Sequence, residues 1–220
     1  MKRLTHMMCG VIFLATTGYA ALATDLPRKG PAYIEPFFSW SGFYLGLNGG
    51  YGWGTSNWTA TAGGLTTGDF NISGALAGGT IGYNLQTGVW VWGVEGDLDA
   101  SWIKGSTTTF CAVPCTTENK WLATARGRVG YAWNRWLPYI TGGAAFGDIK
   151  ITGIGSESDT KLGWTAGAGL EYAFLGAWSA KLEYLYVDLG TVGCSAATCA
   201  PAADVKFNTN IVRAGVNYRF

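Results

Sequence analysis

Ionisable side chains recur at every second position in several stretches of this chain. Glu95, Asp97 and Asp99 form one such series, Arg126 and Arg128 a second, and Lys181 with Glu183 a third; Glu171, Arg213 and Arg219 lie in similar alternating surroundings. Residues two apart share one face of an extended strand, so each series would present its charges to one side. Three kinds of chemistry use such an arrangement: carboxylates paired as general acid and base, a polar path for ions or solutes, and an ion-paired interior. The set holds five acids and five bases, a balance that favours pairing.

Other reactive groups are few. The only histidine is His6, so beyond the first residues the chain lacks Ser-His-Asp or Cys-His catalysis and histidine-based metal sites. Cys111 and Cys115 flank three residues, and Cys194 and Cys199 flank four. In an oxidising compartment two local disulfides follow, Cys111–Cys115 and Cys194–Cys199; a soft-metal site of four thiolates is the alternative. The run Gly50-Tyr51-Gly52-Trp53-Gly54 has the glycine density of a phosphate loop, but no helix-like segment follows it. No metal, no cofactor and no enzymatic activity are expected.

The elements that must hold the charges are strands. Eight segments alternate in character, over 41–53, 73–85, 89–104, 120–133, 137–149, 161–174, 178–189 and 207–220. In the last, Val212, Ala214, Val216, Tyr218 and Phe220 share one face while Arg213, Gly215, Asn217 and Arg219 share the other. A period of two is incompatible with a helix. The 137–149 segment has no clear polar face and admits a bulge or a register shift. Gaps at 86–88, 134–136 and 175–177 are tight. Those at 54–72, 105–119, 150–160 and 190–206 are long and rich in Ser, Thr and Gly.

Composition says where the apolar faces point. Charged residues are 13% and aromatics 15%, with 11 tryptophans and 34 glycines, and the net charge is +1. Nothing there suits nucleic acid. The apolar faces begin and end in aromatics. Trp92 to Trp102, and likewise Trp164 to Phe174, spans about 33 Å along a strand, or roughly 25 Å when tilted, which is the apolar band of a membrane barrel. Trp53, Trp92, Trp102, Trp121, Trp133, Trp164, Phe174 and Trp178 are the expected aromatic belts; Trp58 alone among the tryptophans falls well inside a predicted loop.

The fold class is therefore all-β: an eight-stranded antiparallel up-and-down transmembrane barrel, with short turns and both termini in the periplasm and four long loops outside. A positive start at Lys2 and Arg3, a short apolar core and Ala21-Leu22-Ala23 mark residues 1–23 as a signal peptide, with cleavage after Ala20 as the alternative. Residues 24–38, with Pro27, Pro31 and Pro36, read as a periplasmic leader, and 39–220 as the barrel. Sorting by parity sends Glu95, Asp97, Asp99, Glu171, Glu183, Arg126, Arg128, Lys181, Arg213 and Arg219 into the lumen. Eight strands leave barely room for side chains, so a salt-bridged, largely closed interior is expected. The function reads as a structural outer-membrane surface protein, with a small-solute porin or a loop-mediated adhesin as alternatives.

The run from Phe38 through Trp40-Ser41-Gly42-Phe43-Tyr44-Leu45-Gly46 to Gly54 resembles the opening strand of the outer-membrane immunogenic proteins of α-proteobacteria, a porin-like, opacity-type family. Ile211 to Phe220, Thr24-Asp25-Leu26-Pro27 and Arg126-Gly127-Arg128-Val129-Gly130-Tyr131 are similar to that family too. The resemblance covers essentially the whole chain after the cleavage site. It implies an OmpA-like barrel in the Gram-negative outer membrane, a surface antigen serving envelope integrity or host contact. Tyr218 and Phe220 resemble the C-terminal signal read by the barrel assembly machinery. The expected partners are outer-membrane lipids and lipopolysaccharide, that machinery during biogenesis, and a host or cell-surface ligand at the loops.

Overall fold

The structure, a computed structural model, describes residues 38–61, 63–109, 114–199 and 202–220. The proposed signal peptide, the leader up to residue 37 and Cys111 lie outside the described residues. Within them the strands are β1 (Gly42–Ala60), β2 (Phe70–Thr87), β3 (Trp90–Thr107), β4 (Cys115–Tyr131), β5 (Trp136–Thr152), β6 (Ser156–Leu175), β7 (Trp178–Cys194) and β8 (Ala203–Arg219), with a four-residue helix α1 (Ala196–Cys199) between the last two. Each strand pairs antiparallel with its chain neighbour, and β1 pairs with β8, closing the barrel.

At one rim β2–β3, β4–β5 and β6–β7 are joined by two-residue turns. The first turn residue is left-handed in all three: Gly88 (φ 63), Asn134 (φ 56) and Gly176 (φ 51). Tight hairpins need that hand to match strand twist, and glycine or asparagine meets it at least cost. In an outer-membrane barrel this is the periplasmic rim.

The strands run further at the other rim than the sequence suggested. Seventeen to twenty residues each give about 55–65 Å of strand, or roughly 43–50 Å of height after tilt, nearly twice the apolar band. The regions expected as long loops shrink to 61–69, 108–114, 153–155 and 195–202. The reason is a reversal of polarity partway up the wall. Low on β1 the outward residues are Phe43, Leu45, Leu47, Tyr51 and Trp53; above them come Thr55, Asn57 and Thr59. On β3 the outward Trp102 is followed by Lys104 and Ser106, and on β5 Phe146 by Asp148, Lys150 and Thr152. The interior reverses with it. The upper lumen is filled by Trp58, Ile72, Leu76, Ile103, Leu122, Ile149, Ile151, Leu185, Val187, Leu189, Val192, Val205, Phe207 and Ile211. Below the aromatic level the wall is a membrane protein, apolar outside and charged within. Above it the wall is a water-soluble barrel with an apolar core.

Trp58 is not in a loop: it sits on β1, buried in the upper core, its indole N–H donating to Thr117 Oγ1 at 3.0 Å. The irregularity expected in the fifth segment belongs instead to β4, where Lys120 and Trp121, between the paired Asn119 and Leu122, oppose the single Asp148 of β5. Asn119 and Leu122 both face inward there, with Lys120 and Trp121 turned out. β5 itself is regular and turns Leu137, Tyr139, Thr141 and Ala145 inward.

Candidate functional site

The charges meet in the lower half of the lumen. Some face each other across adjacent strands: Glu95 on β3 is opposite Arg126 on β4, and Glu183 on β7 is opposite Arg213 on β8. Others reach across the interior. Arg126 contacts Glu95, Asp97 (2.7 Å) and Glu183 (2.9 Å). Arg213 contacts Asp97 (2.9 Å), Asp99 (3.0 Å) and Glu183 (2.7 Å). Arg128 contacts Glu171 (2.7 Å) and Glu95 (3.3 Å), and Lys181 contacts Glu95 (3.2 Å). These side chains are almost wholly withdrawn from solvent. Guanidinium groups suit such a hub because one planar fork can serve several carboxylates.

Arg219 is the exception among the ten expected residues. It sits at the periplasmic rim, half-buried, its guanidinium 4.3 Å over the Phe38 ring. The last inward position of β8 lies below the acids, and among the described residues Arg219 forms no ion pair with them. The network therefore joins five carboxylates to four cations rather than five. Hydroxyl and amide groups complete it. Tyr44 donates to Glu95 Oε2 (2.7 Å), Tyr139 to Glu183 Oε1 (3.0 Å), Thr124 to Asp97 Oδ2 (2.7 Å), Ser179 to Glu171 Oε1 (2.6 Å) and Asn217 to Glu171 Oε1 (2.8 Å). Arg128 also lies over the Tyr139 ring at 4.3 Å. Tyr44 and Tyr139 carry no charge and so stood outside the parity sort. Their inward position was the available signal, and on β5 that position depends on register.

Apolar groups close the lumen on both sides of the charges. Above lies the upper core. Below, Trp40, Val91, Leu137 and Ala173 form a second cluster against Phe38, with the Trp40 backbone N–H donating to Gln86 Oε1 at 2.7 Å.

The expected aromatic residues lie in two outward rows. Trp53, Trp102, Trp121 and Trp164 form the upper row, and Trp92, Phe174 and Trp178 the lower; Trp133 lies just past β4 in the turn that Trp136 closes. All but the half-buried Trp121 are exposed. Cross-strand ring pairs brace the rows: Trp164 with Tyr186 (centroids 5.3 Å apart) and Trp178 with Tyr218 (5.0 Å).

Of the cysteines, Cys194 and Cys199 form a disulfide. Cys115 is disulfide-bonded, and its expected partner Cys111 lies outside the described residues. The Cys194–Cys199 ring has a neighbour. β6 pairs with β5 up to Ser156 but with β7 only as far as Trp164, so its upper edge is open towards β7. The ring caps the end of this edge. Thr198 O accepts from Ile154 N (2.9 Å) and Gly155 N (3.3 Å), and Ser195 N and Oγ donate to Glu157 Oε2 (3.3 and 3.2 Å). Replacing both Cys194 and Cys199 by serine is expected to speed proteolysis within 153–157 and 195–199 several-fold without moving the unfolding midpoint. Cleavage kinetics and a urea titration check this.

Residues 13–220 match the outer membrane protein beta-barrel domain family. The chain belongs to that family. Among curated members of this barrel family, the 25 kDa outer-membrane immunogenic protein of Brucella abortus is 33% identical over 223 residues, covering 100% of this chain and 99% of the relative. The 31 kDa outer-membrane immunogenic protein of Brucella melitensis is 33% identical over 242 residues, covering 100% of both. The 22 kDa outer membrane protein of Rhizobium leguminosarum is 39% identical over 160 residues, covering 71% of this chain and 68% of the relative. Of solved structures, the outer membrane protein OprG from Pseudomonas aeruginosa shares the fold, with a TM-score of 0.50 at 12% identity, covering 82% of this chain and 97% of that one. The protein is thus a surface barrel of the Gram-negative outer membrane.

Proposed function

We propose that the barrel is a non-catalytic structural protein of the outer membrane, a surface antigen that supports envelope integrity and conducts no solute. The occlusion of the lumen carries this reading: apolar cap, ion-paired middle and apolar upper core follow one another along the axis. An ion would have to break several buried pairs and then cross a segment lined mainly by apolar side chains, which desolvates it with little compensation. The names of the immunogenic relatives support surface exposure, and the absence of any histidine after His6 supports a non-enzymatic role. The exposed Phe220, packed edge-to-face against Tyr218, is proposed as the signal met by the assembly machinery. The upper wall and loops are proposed as the contact surface for lipopolysaccharide or a host ligand.

Single-channel recording in a planar bilayer tests the closed lumen. The folded protein is expected to give no unit steps above baseline, and large, stable steps would replace this reading by that of a small-solute pore.

A further inference from the structure

On the outer wall just above the upper aromatic row, β1, β8 and the β1–β2 loop enclose a polar cleft of about 440 Å³ lined by Thr55, Asn57, Thr59, Gly64, Thr66, Asp69, Lys206 and Asn208. We propose that it binds a saccharide, and that in the intact membrane this is the sugar portion of an outer-leaflet glycolipid. This site rests on the proposed contact of the upper wall with lipopolysaccharide and is independent of whether the lumen conducts.

Register builds the floor. Thr55 is opposite Asn208, and Asn57 is opposite Lys206, all on the outward face. The loop builds the remaining side. Gly64 (φ 65) and Gly68 (φ 68) turn it back on the strand. Ala60 N–H donates to Leu65 O (2.7 Å) and Thr67 N–H to Trp58 O (2.9 Å), holding it there. Asn57 is then locked: its Oδ1 accepts from Thr59 Oγ1 (3.1 Å) and Thr66 Oγ1 (2.9 Å), and its Nδ2 donates to Asp69 Oδ1 (2.9 Å). Thr55 Oγ1 donates to Asn208 Oδ1 (3.1 Å), fixing that amide. Among the described residues the Lys206 ammonium, the Asn208 Nδ2 group and Asp69 Oδ2 have no partner. The cleft thus offers a fixed amide donor at Asn208 and a fixed carboxylate acceptor at Asp69, beside the Lys206 cation. That pattern matches vicinal hydroxyls, which donate and accept at once, better than a simple anion. The volume lies in the range of small-ligand sites.

Position names the source. Trp53 is the outward residue immediately below Thr55. Indole rings settle at the headgroup level, and two residues of strand add only about 7 Å, so the cleft opens sideways into the layer of headgroup sugars.

The test uses the full-length protein folded in detergent, with three probes: lipopolysaccharide carrying its core sugars, lipid A without core, and the delipidated core oligosaccharide. Native mass spectrometry reads binding, and the unboiled gel confirms folding. The core-bearing lipid is expected to bind, the free oligosaccharide to compete, and Asn57→Ala, Asp69→Ala and Lys206→Ala each to weaken binding roughly tenfold. Lys150→Ala, an outward charge on another part of the wall, is expected to leave it unchanged. Equal binding of lipid A lacking core, no competition by the free sugar, equal weakening by Lys150→Ala, or full binding by the cleft variants would each overturn the proposal. Binding of the free oligosaccharide without that of the glycolipid would retain the saccharide site and overturn its membrane source.

Discussion

Arg126→Met is expected to lower the unfolding free energy of the barrel by about 3–5 kcal/mol. The guanidinium contacts Glu95, Asp97 and Glu183, all buried. Methionine fills much of the space but leaves three buried carboxylates with only Arg128, Lys181 and Arg213 to neutralise them and little solvent to screen them. The loss is not that of one surface pair, which contributes about 1 kcal/mol or less, because each partner keeps its desolvation cost when the cation is gone. Arg126→Lys is expected to recover only part of the stability, since an ammonium is a point charge and lacks the planar fork that serves three acceptors. Urea titration of the protein in lipid vesicles, read as the unboiled gel band, measures both. A midpoint unchanged in Arg126→Met would show that the charges are not a stabilising network.

Gly50→Leu is expected to prevent closure of most of the barrel population, with the folded gel band largely lost. Gly50 faces inward on β1, directly opposite Arg213 on β8. A β-carbon there would lie 2.6 Å from Arg213 Cβ and 2.8 Å from its Cα. Those atoms belong to the seam that closes the barrel and cannot retreat as the far end of a side chain could. Overpacking in an ordinary core costs about 1–3 kcal/mol; here the same insertion also displaces the arginine that holds Asp97, Asp99 and Glu183. Gly49→Leu is the matched control. Gly49 faces outward, and only Leu76 O, at 3.8 Å, approaches the corresponding position. Its folded band is expected to persist.

Both expectations concern residues whose inward direction is written in the chain. Glu95, Asp97 and Asp99 alternate with Trp92, Val94, Leu98 and Trp102, and one parity must face lipid. Nine of the ten charges sorted that way lie in the buried network, since the choice between faces is made locally and strongly by the solvent on each side. Arg219 points inward as sorted, but its place at the end of β8 sets it at the rim, outside the ion pairs. Tyr44 and Tyr139 were missed because an uncharged aromatic suits either face of a membrane wall.

The chain alone determined the strand alternation, the outward aromatic rows, the tight periplasmic turns and the sign of the lumen, because each follows from the two-residue period and from contact with hydrocarbon. Tertiary structure decided the rest. Which acid meets which base depends on register around a closed ring, as in the contact of Arg213 with Asp97 from residues 116 positions apart. The true height of the wall also emerged only there. Above the membrane the alternation continues with its sense reversed, and Thr55, Asn57 and Thr59 read as loop until the apolar face beneath them is seen to line a core.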